Sequence, residues 1–240
     1  MKPIYRFMTL VGKLFKIIIP DEMIVPILMG RLKGKKWVIS SSNIECALGT
    51  YEYKKHILFA KEISISDVVY DIGAHAGFYT LLASEIVGFK GSVVAFEPLP
   101  QNFFYLKKHV EINQTSNVII NNVAVTNFIG VSSFRLVGNT YTGRLDDNGE
   151  IEVETISLND FVLKNPDLIP DCIKIDVEGS EYDVLKGASH IISNNKPKIF
   201  LATHNEFIHK KCVDFLKSYN YNLESINNQN DEIFAYYNIE

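Results

Sequence analysis

From Asp67 onward the chain alternates short apolar runs with segments of helical period, and this alternation restricts the fold more than any other feature. The runs Val68–Ile72, Ser92–Phe96, Val118–Asn121, Cys172–Asp176 and Lys198–Ala202 are rich in β-branched or aromatic residues and end in polar residues or glycine. Helix patterns lie between them. Phe78, Leu82 and Ile86 repeat every four residues in Phe78–Val87. Phe103, Leu106 and Val110 share a face of Pro100–Asn113, which begins with a proline suited to a first turn. Further helices are predicted over Glu181–Asn194 and Lys210–Tyr219. Strands and helices in this order predict an α/β fold, a parallel sheet covered by helices on both faces. Two segments depart from it. Val131–Leu136 and Glu150–Ile156 flank the turn-rich Gly138–Gly149 and read as a hairpin inserted at the edge of the domain, at about 126–157. Tyr221–Ile226 and Glu232–Tyr237 read as a closing β-hairpin.

Upstream of Asp67 the pattern is less regular. A helix is expected from about Gly49–Glu52 to Lys61, and residues 1–66 are read as a helical or irregular extension capping the domain 67–240. The most apolar stretch, Phe7–Gly30, is broken by Lys13, Lys16, Asp21 and Glu22. It is too interrupted for a membrane span of ~20 apolar residues, and it lacks the core of a secretory signal. Cys46, Cys172 and Cys212 are widely spaced without a C-x-x-C pair, so free thiols and a cytoplasmic location are expected. Residues 1–36 carry eight basic side chains against Asp21 and Glu22, although the whole chain is at −4. The acidic remainder disfavours a nucleic-acid groove. The basic, apolar arm is expected to be a solvated cap, with weak contact to an anionic membrane surface as the other reading.

The segment Val68-Val69-Tyr70-Asp71-Ile72-Gly73-Ala74-His75-Ala76-Gly77-Phe78 runs from a buried strand through a glycine turn into a helix. Glycine permits a sharp turn and close backbone approach, and the next helix offers free N–H groups at its start. The dinucleotide fingerprint G-x-G-x-x-G fails, because its second and third glycines would fall on His75 and Phe78. The Walker pattern is also absent. An acid, Glu97, ends the next strand 24 residues beyond Gly73. A carboxylate there can accept hydrogen bonds from both hydroxyls of a ribose.

The turn D-x-G-x-x-x-G with its strand-end acid resembles the S-adenosylmethionine-dependent methyltransferases of the Rossmann-like class. Three motifs narrow the resemblance to the FkbM family: Asp-Ile-Gly-Ala-His-Ala-Gly-Phe-Tyr-Thr, Phe-Glu-Pro-Leu-Pro-Gln-Asn, and Ile-Lys-Ile-Asp-Val-Glu-Gly-Ser-Glu-Tyr-Asp-Val-Leu-Lys-Gly-Ala. The resemblance implies a seven-stranded, mostly parallel sheet with an antiparallel last strand, and S-adenosylmethionine as cofactor. It places Asp71 and Gly73 at the methionine end, with Gly77 closing the turn, and Glu97 on the ribose. Leu99 would pack on the adenine, and Asn122 and Ala124 would lie where its edge is read. It also implies that Glu52 lies near the cofactor's amino group.

The fourth strand ends Asp176-Val177-Glu178-Gly179-Ser180-Glu181, at the edge where open α/β sheets bind ligands. Alternation is expected to send Asp176 and Glu178 to one side. These acids can hold the cofactor's ammonium, orient or deprotonate an acceptor, or, through Asp176 and Glu178, bind a divalent cation. Glu181 opens a helix and can serve there by charge alone. His204, just past the fifth strand, is expected to work with Asp176 as a catalytic pair, with a metal ligand and a backbone-bonded rim residue as its other readings. His75 is expected to be a backbone-bonded or solvent-facing imidazole.

The leading expectation is O-methylation of a hydroxyl on a small molecule or sugar, with oxygen favoured by family analogy. The alternatives are an N-methyltransferase and a non-catalytic nucleoside-binding module. The Asn/Asp-Pro-Pro-Tyr/Phe element of nucleic-acid N-methyltransferases is absent from the fourth strand. The acceptor's identity and the oligomeric state are left open.

Overall fold

The structure is a computed structural model that describes residues 22–137, 142–145, 149–227 and 231–238. Residues 1–21, most of the basic arm assigned to a cap or a membrane surface, lie outside the described residues, as do parts of the turn at 138–149. The chain divides into two compact units, Met1–Tyr51 and Glu52–Glu240. In the first, β1 (Ile24–Pro26) pairs antiparallel with β2 (Lys36–Val38), and a short helix, α1 (Ile44–Leu48), follows.

The second unit starts with α2 (Tyr53–Glu62) and holds a seven-stranded sheet. In chain order its strands are β3 (Val68–Ile72), β4 (Ser92–Phe96), β5 (Val118–Asn121), β10 (Cys172–Ile175), β11 (Lys198–Ala202), β12 (Asn222–Ser225) and β13 (Glu232–Tyr236). Their spatial order is β12-β13-β11-β10-β3-β4-β5. Neighbours from β11 to β5 are parallel, and β13 is antiparallel to both β11 and β12. This is the predicted mostly parallel sheet with an antiparallel last strand. The helices α3 (Phe78–Val87), α4 (Pro100–Ile112), α5 (Leu158–Lys164), α6 (Glu181–Gly187), α7 (Ser189–Asn194) and α8 (Glu206–Ser218) connect the strands.

Strand alternation sorts the core. Tyr70, Ile72, Val94, Phe96, Ile173, Ile175, Ile199 and Leu201 point to one face and pack with Leu158, Phe161, Val184, Leu185, Cys212 and Leu216 from α5, α6 and α8. The other face carries Ala95, packed with Leu106 of α4, and Phe200, whose ring lies 5.1 Å from Phe59 of α2. Asp71 and Lys174 fall on this second face as direct cross-strand partners.

The insertion is larger than the expected hairpin. β6 (Ala124–Thr126), β7 (Gly130–Val137), β8 (Thr142–Leu145) and β9 (Ile151–Ser157) form a separate four-stranded sheet ordered β6-β9-β7-β8. β6 is parallel to β9, and the three residues Ala-Val-Thr were too short a run to read as a strand. Two helix boundaries also differ from expectation. The segment 181–194 is two helices, and α8 begins four residues early because the Asn205 side chain accepts from the Ile208 N–H. Cys46, Cys172 and Cys212 are free and buried. Among the described residues, no helix is long and apolar enough to cross a membrane.

Candidate functional site

The carboxyl ends of the parallel strands β3, β4, β10 and β11 bring the predicted residues to one edge of the sheet. Gly73 leaves β3 at φ +74°, a left-handed conformation that suits glycine. A methyl group there would lie 1.9 Å from the Asp176 carbonyl oxygen. The glycine thus allows the turn to touch the end of β10, a reason the sequence did not disclose. Gly77 caps α3 at φ +93°. Between them His75 is also left-handed, at φ +51°. Its N–H donates to Glu97 Oε2 at 2.8 Å, so this residue closes the turn by its backbone.

Glu97 is buried. Its Oε1 accepts from the Leu99 N–H at 3.0 Å and the Asn102 side chain at 3.3 Å. Burial pushes its carboxyl up to about 7, against the pull of these hydrogen bonds and of the Lys174 charge. Asn122 donates to the Glu97 and Pro98 carbonyls at 2.8 and 3.1 Å and pins the loop after β4. Leu99 and Ala124 are buried together with Phe134 and Val153 of the inserted sheet.

Asp71 is fully buried. Its Oδ1 accepts from Lys174 Nζ at 3.1 Å and its Oδ2 from the Thr80 hydroxyl at 2.7 Å. Lys174 Nζ also donates to the Gly73 carbonyl at 3.1 Å. In this geometry Asp71 braces the turn from beneath. His109 of α4 does so from the other side, its Nδ1–H donating to the Ala76 carbonyl at 2.7 Å. Burial holds His109 down at about 4, so the ring is neutral at pH 7. Neither Lys174 nor His109 was singled out in the sequence. His109 flanks the apolar face read for α4, and the Lys174–Asp71 pair spans 103 residues.

A buried lysine, Lys55 of α2, joins three elements. Its Nζ lies 2.9 Å from Glu52, 3.0 Å from Glu232 of β13 and 3.5 Å from Asp176 Oδ2. Burial opposes its charge, but the Asp176, Glu52 and Glu232 carboxylates outweigh burial and hold Lys55 above its ordinary value. Glu52 also accepts from the Tyr79 hydroxyl at 2.8 Å. Glu52 therefore belongs to the same cluster as Asp176.

Asp176, Glu178, Glu181 and His204 converge. His204 Nδ1 is 2.6 Å from Glu181 Oε1, and its Nε2 is 3.4 Å from Asp176 Oδ1 and 3.3 Å from Glu178 Oε2. The expected cause, strand alternation, is corrected. β10 ends at Ile175, and Glu178 and Gly179 turn back through left-handed conformations at φ +57° and +117°. Burial opposes charge on His204, yet the Glu181 hydrogen bond and the Asp176 and Glu178 charges prevail and push it up to about 9. For Asp176, burial is outweighed by Lys55 and Lys174, which hold it below the usual carboxylate range. Burial raises Glu178. Asp176, Glu178 and His204 offer three ligand atoms within 4.8 Å of one another, a set that can hold a metal ion.

Residues 71–223 match the model of the methyltransferase FkbM domain. The chain belongs to the FkbM methyltransferase family. A curated relative, the hexuronic acid methyltransferase AglP of Haloferax volcanii, is 28% identical over 139 residues, which are 57% of this chain and 56% of that protein. A solved structure of methyltransferase FkbM from Methylobacillus flagellatus superposes with a TM-score of 0.55 at 22% identity. It covers 73% of this chain and 44% of that one. The precorrin-6y C5,15-methyltransferase of Geobacter metallireducens gives a TM-score of 0.49 at 16% identity, covering 78% of this chain and 89% of that one. The chain thus spans about half the length of the first two relatives. The fold is the Rossmann-like methyltransferase fold.

Proposed function

We propose that this FkbM-family chain transfers a methyl group from S-adenosylmethionine to a hydroxyl of a small acceptor, with a sugar acid as the class. The observation that carries this reading is the shared edge: Glu97, Asp176 and His204 follow the ends of β4, β10 and β11. The name of the Haloferax relative supports the acceptor class.

The residues fit such a cofactor. Glu97 spends three hydrogen bonds on the protein, and a carboxylate has about four acceptor positions, so capacity is left for a ribose hydroxyl. Among the described residues, Glu52, Asp71, Asp176, Glu178, Glu181 and Glu232 contact only Lys55, Lys174 and His204 as cations. That surplus of negative charge suits a cationic cofactor. When bound, S-adenosylmethionine supplies an electrophilic methyl on a positively charged sulfur. In this reading Glu97 fixes the sugar end, and the turn 73–77 presents its backbone to the rest. Asp176 and His204 frame the acceptor hydroxyl and orient it, and its proton leaves to water as the oxygen takes the methyl carbon. Orientation of this kind is worth up to ~7–11 kcal/mol.

The test is calorimetry with S-adenosylmethionine, followed by assay of S-adenosylhomocysteine formation with uronic acid glycosides. Binding in the wild type, and turnover at least 10-fold lower in Asp176→Asn and His204→Ala with cofactor affinity retained, are expected. No heat with the cofactor overturns the reading, and wild-type turnover in both variants overturns the assignment of that pair.

A further inference from the structure

We infer that Asp176 Oδ1, Glu178 Oε2 and His204 Nε2 form a binding site for one divalent cation, of the manganese or magnesium class, which holds the acceptor by its oxygens. The part about the acceptor rests on the proposed function; the ion site rests on its ligands alone. Each ligand atom is already oriented. Lys55 and Lys174 lie on Asp176 Oδ2, which leaves Oδ1 on the His204 side. The left-handed turn at Glu178 and Gly179 brings a second carboxylate to the same nitrogen. His204 Nδ1 is engaged by Glu181, whose side chain is fully buried. This arrangement, a carboxylate on the far nitrogen of an imidazole, fixes the ring of metal-ligating histidines.

The spacing agrees with an ion. Bonds of about 2.0–2.4 Å place neighbouring ligands about 2.8–3.4 Å apart in octahedral geometry. The two nitrogen–oxygen separations are 3.4 and 3.3 Å. One further observation points to a missing positive charge: Glu181 Oε2 is buried with no hydrogen-bond partner. Two carboxylates and one imidazole suit manganese, and magnesium less tightly. Three protein atoms leave about three positions of a six-coordinate ion for water or for the carboxylate and hydroxyl oxygens of a sugar acid.

The test titrates the full-length protein, stripped with chelator, with Mn²⁺ alone and follows free Mn²⁺ by electron paramagnetic resonance. One ion per chain is expected, displaced by excess Mg²⁺. Glu178→Gln and His204→Ala should each weaken binding at least 10-fold, and Glu181→Gln by about 10–100-fold, as loss of a histidine's outer partner does. Circular dichroism and S-adenosylmethionine calorimetry on the same samples report folding and the cofactor site. Failure of the wild type to take up Mn²⁺ at millimolar concentration overturns the inference. Undiminished uptake in folded Glu178→Gln and His204→Ala also overturns it. Mn²⁺ uptake without cofactor heat leaves the ion site standing and overturns the proposed function; cofactor heat without Mn²⁺ uptake does the reverse.

Discussion

Glu97 and His109 show how single side chains around the glycine turn are tuned by burial. Glu97 has its carboxyl raised from 4.5 to about 7. The folded chain therefore binds a proton more tightly than the unfolded one, and ligand-free stability falls as pH rises from about 4.5 through 7. A ligand that donates a hydroxyl to this carboxylate favours its ionised form. Cofactor binding near pH 6 should then release protons, which calorimetry in buffers of different ionisation enthalpy measures directly. Glu97→Gln should weaken the cofactor by roughly 10- to 100-fold, the loss of one hydrogen bond to a charged group. His109 has the opposite sign. Its folded value near 4 lies below 6.5, so stability is present above pH 6.5 and is lost as pH falls toward 4. His109→Phe removes the donor to the Ala76 carbonyl and should cost about 1–3 kcal/mol in urea unfolding, with a flatter acid limb.

At the scale of elements, the strands were legible because each is a short β-branched or aromatic run bounded by turn residues. Val68–Ile72 and Ser92–Phe96 have the expected bounds. The helices were legible where one apolar face repeats. The ion pairs were not legible, because they connect elements far apart in the chain. Lys55 in α2 looks like any lysine on an amphipathic helix, yet it is buried against acids from the residue before its helix, β10's end and β13. Lys55→Met should strand three carboxylates and cost about 3–5 kcal/mol, read as a lower urea midpoint. Gly73 was legible as a glycine needing special backbone, but its neighbour was not. Gly73→Ala puts a carbon into the Asp176 carbonyl at a left-handed position, which alone costs about 1–3 kcal/mol. The thermal midpoint should drop more than for alanine at Gly34, also left-handed at φ +88° but where a side chain would meet nothing within 4 Å.

At the scale of the whole molecule, the parallel topology was readable because alternating strands and helices admit few other arrangements. The convergence at one edge follows from it. Neither the four-stranded insertion nor the left-handed turn at Glu178 was readable, since both depend on pairings and packing that no local pattern encodes. The antiparallel hairpin β12–β13 covers β11, so a chain ending before Tyr221 should expose that edge and scatter light on concentration. The contact between residue 73 and the Asp176 carbonyl has a wider consequence. In the proposed function, the seat of the methyl donor and the seat of its recipient bear on each other through a single layer of atoms, like two stones of one arch. Neither can settle without pressing on its neighbour. Compulsory order in the arrival of the two reactants is the kinetic imprint of such abutment, and product-inhibition patterns would display it.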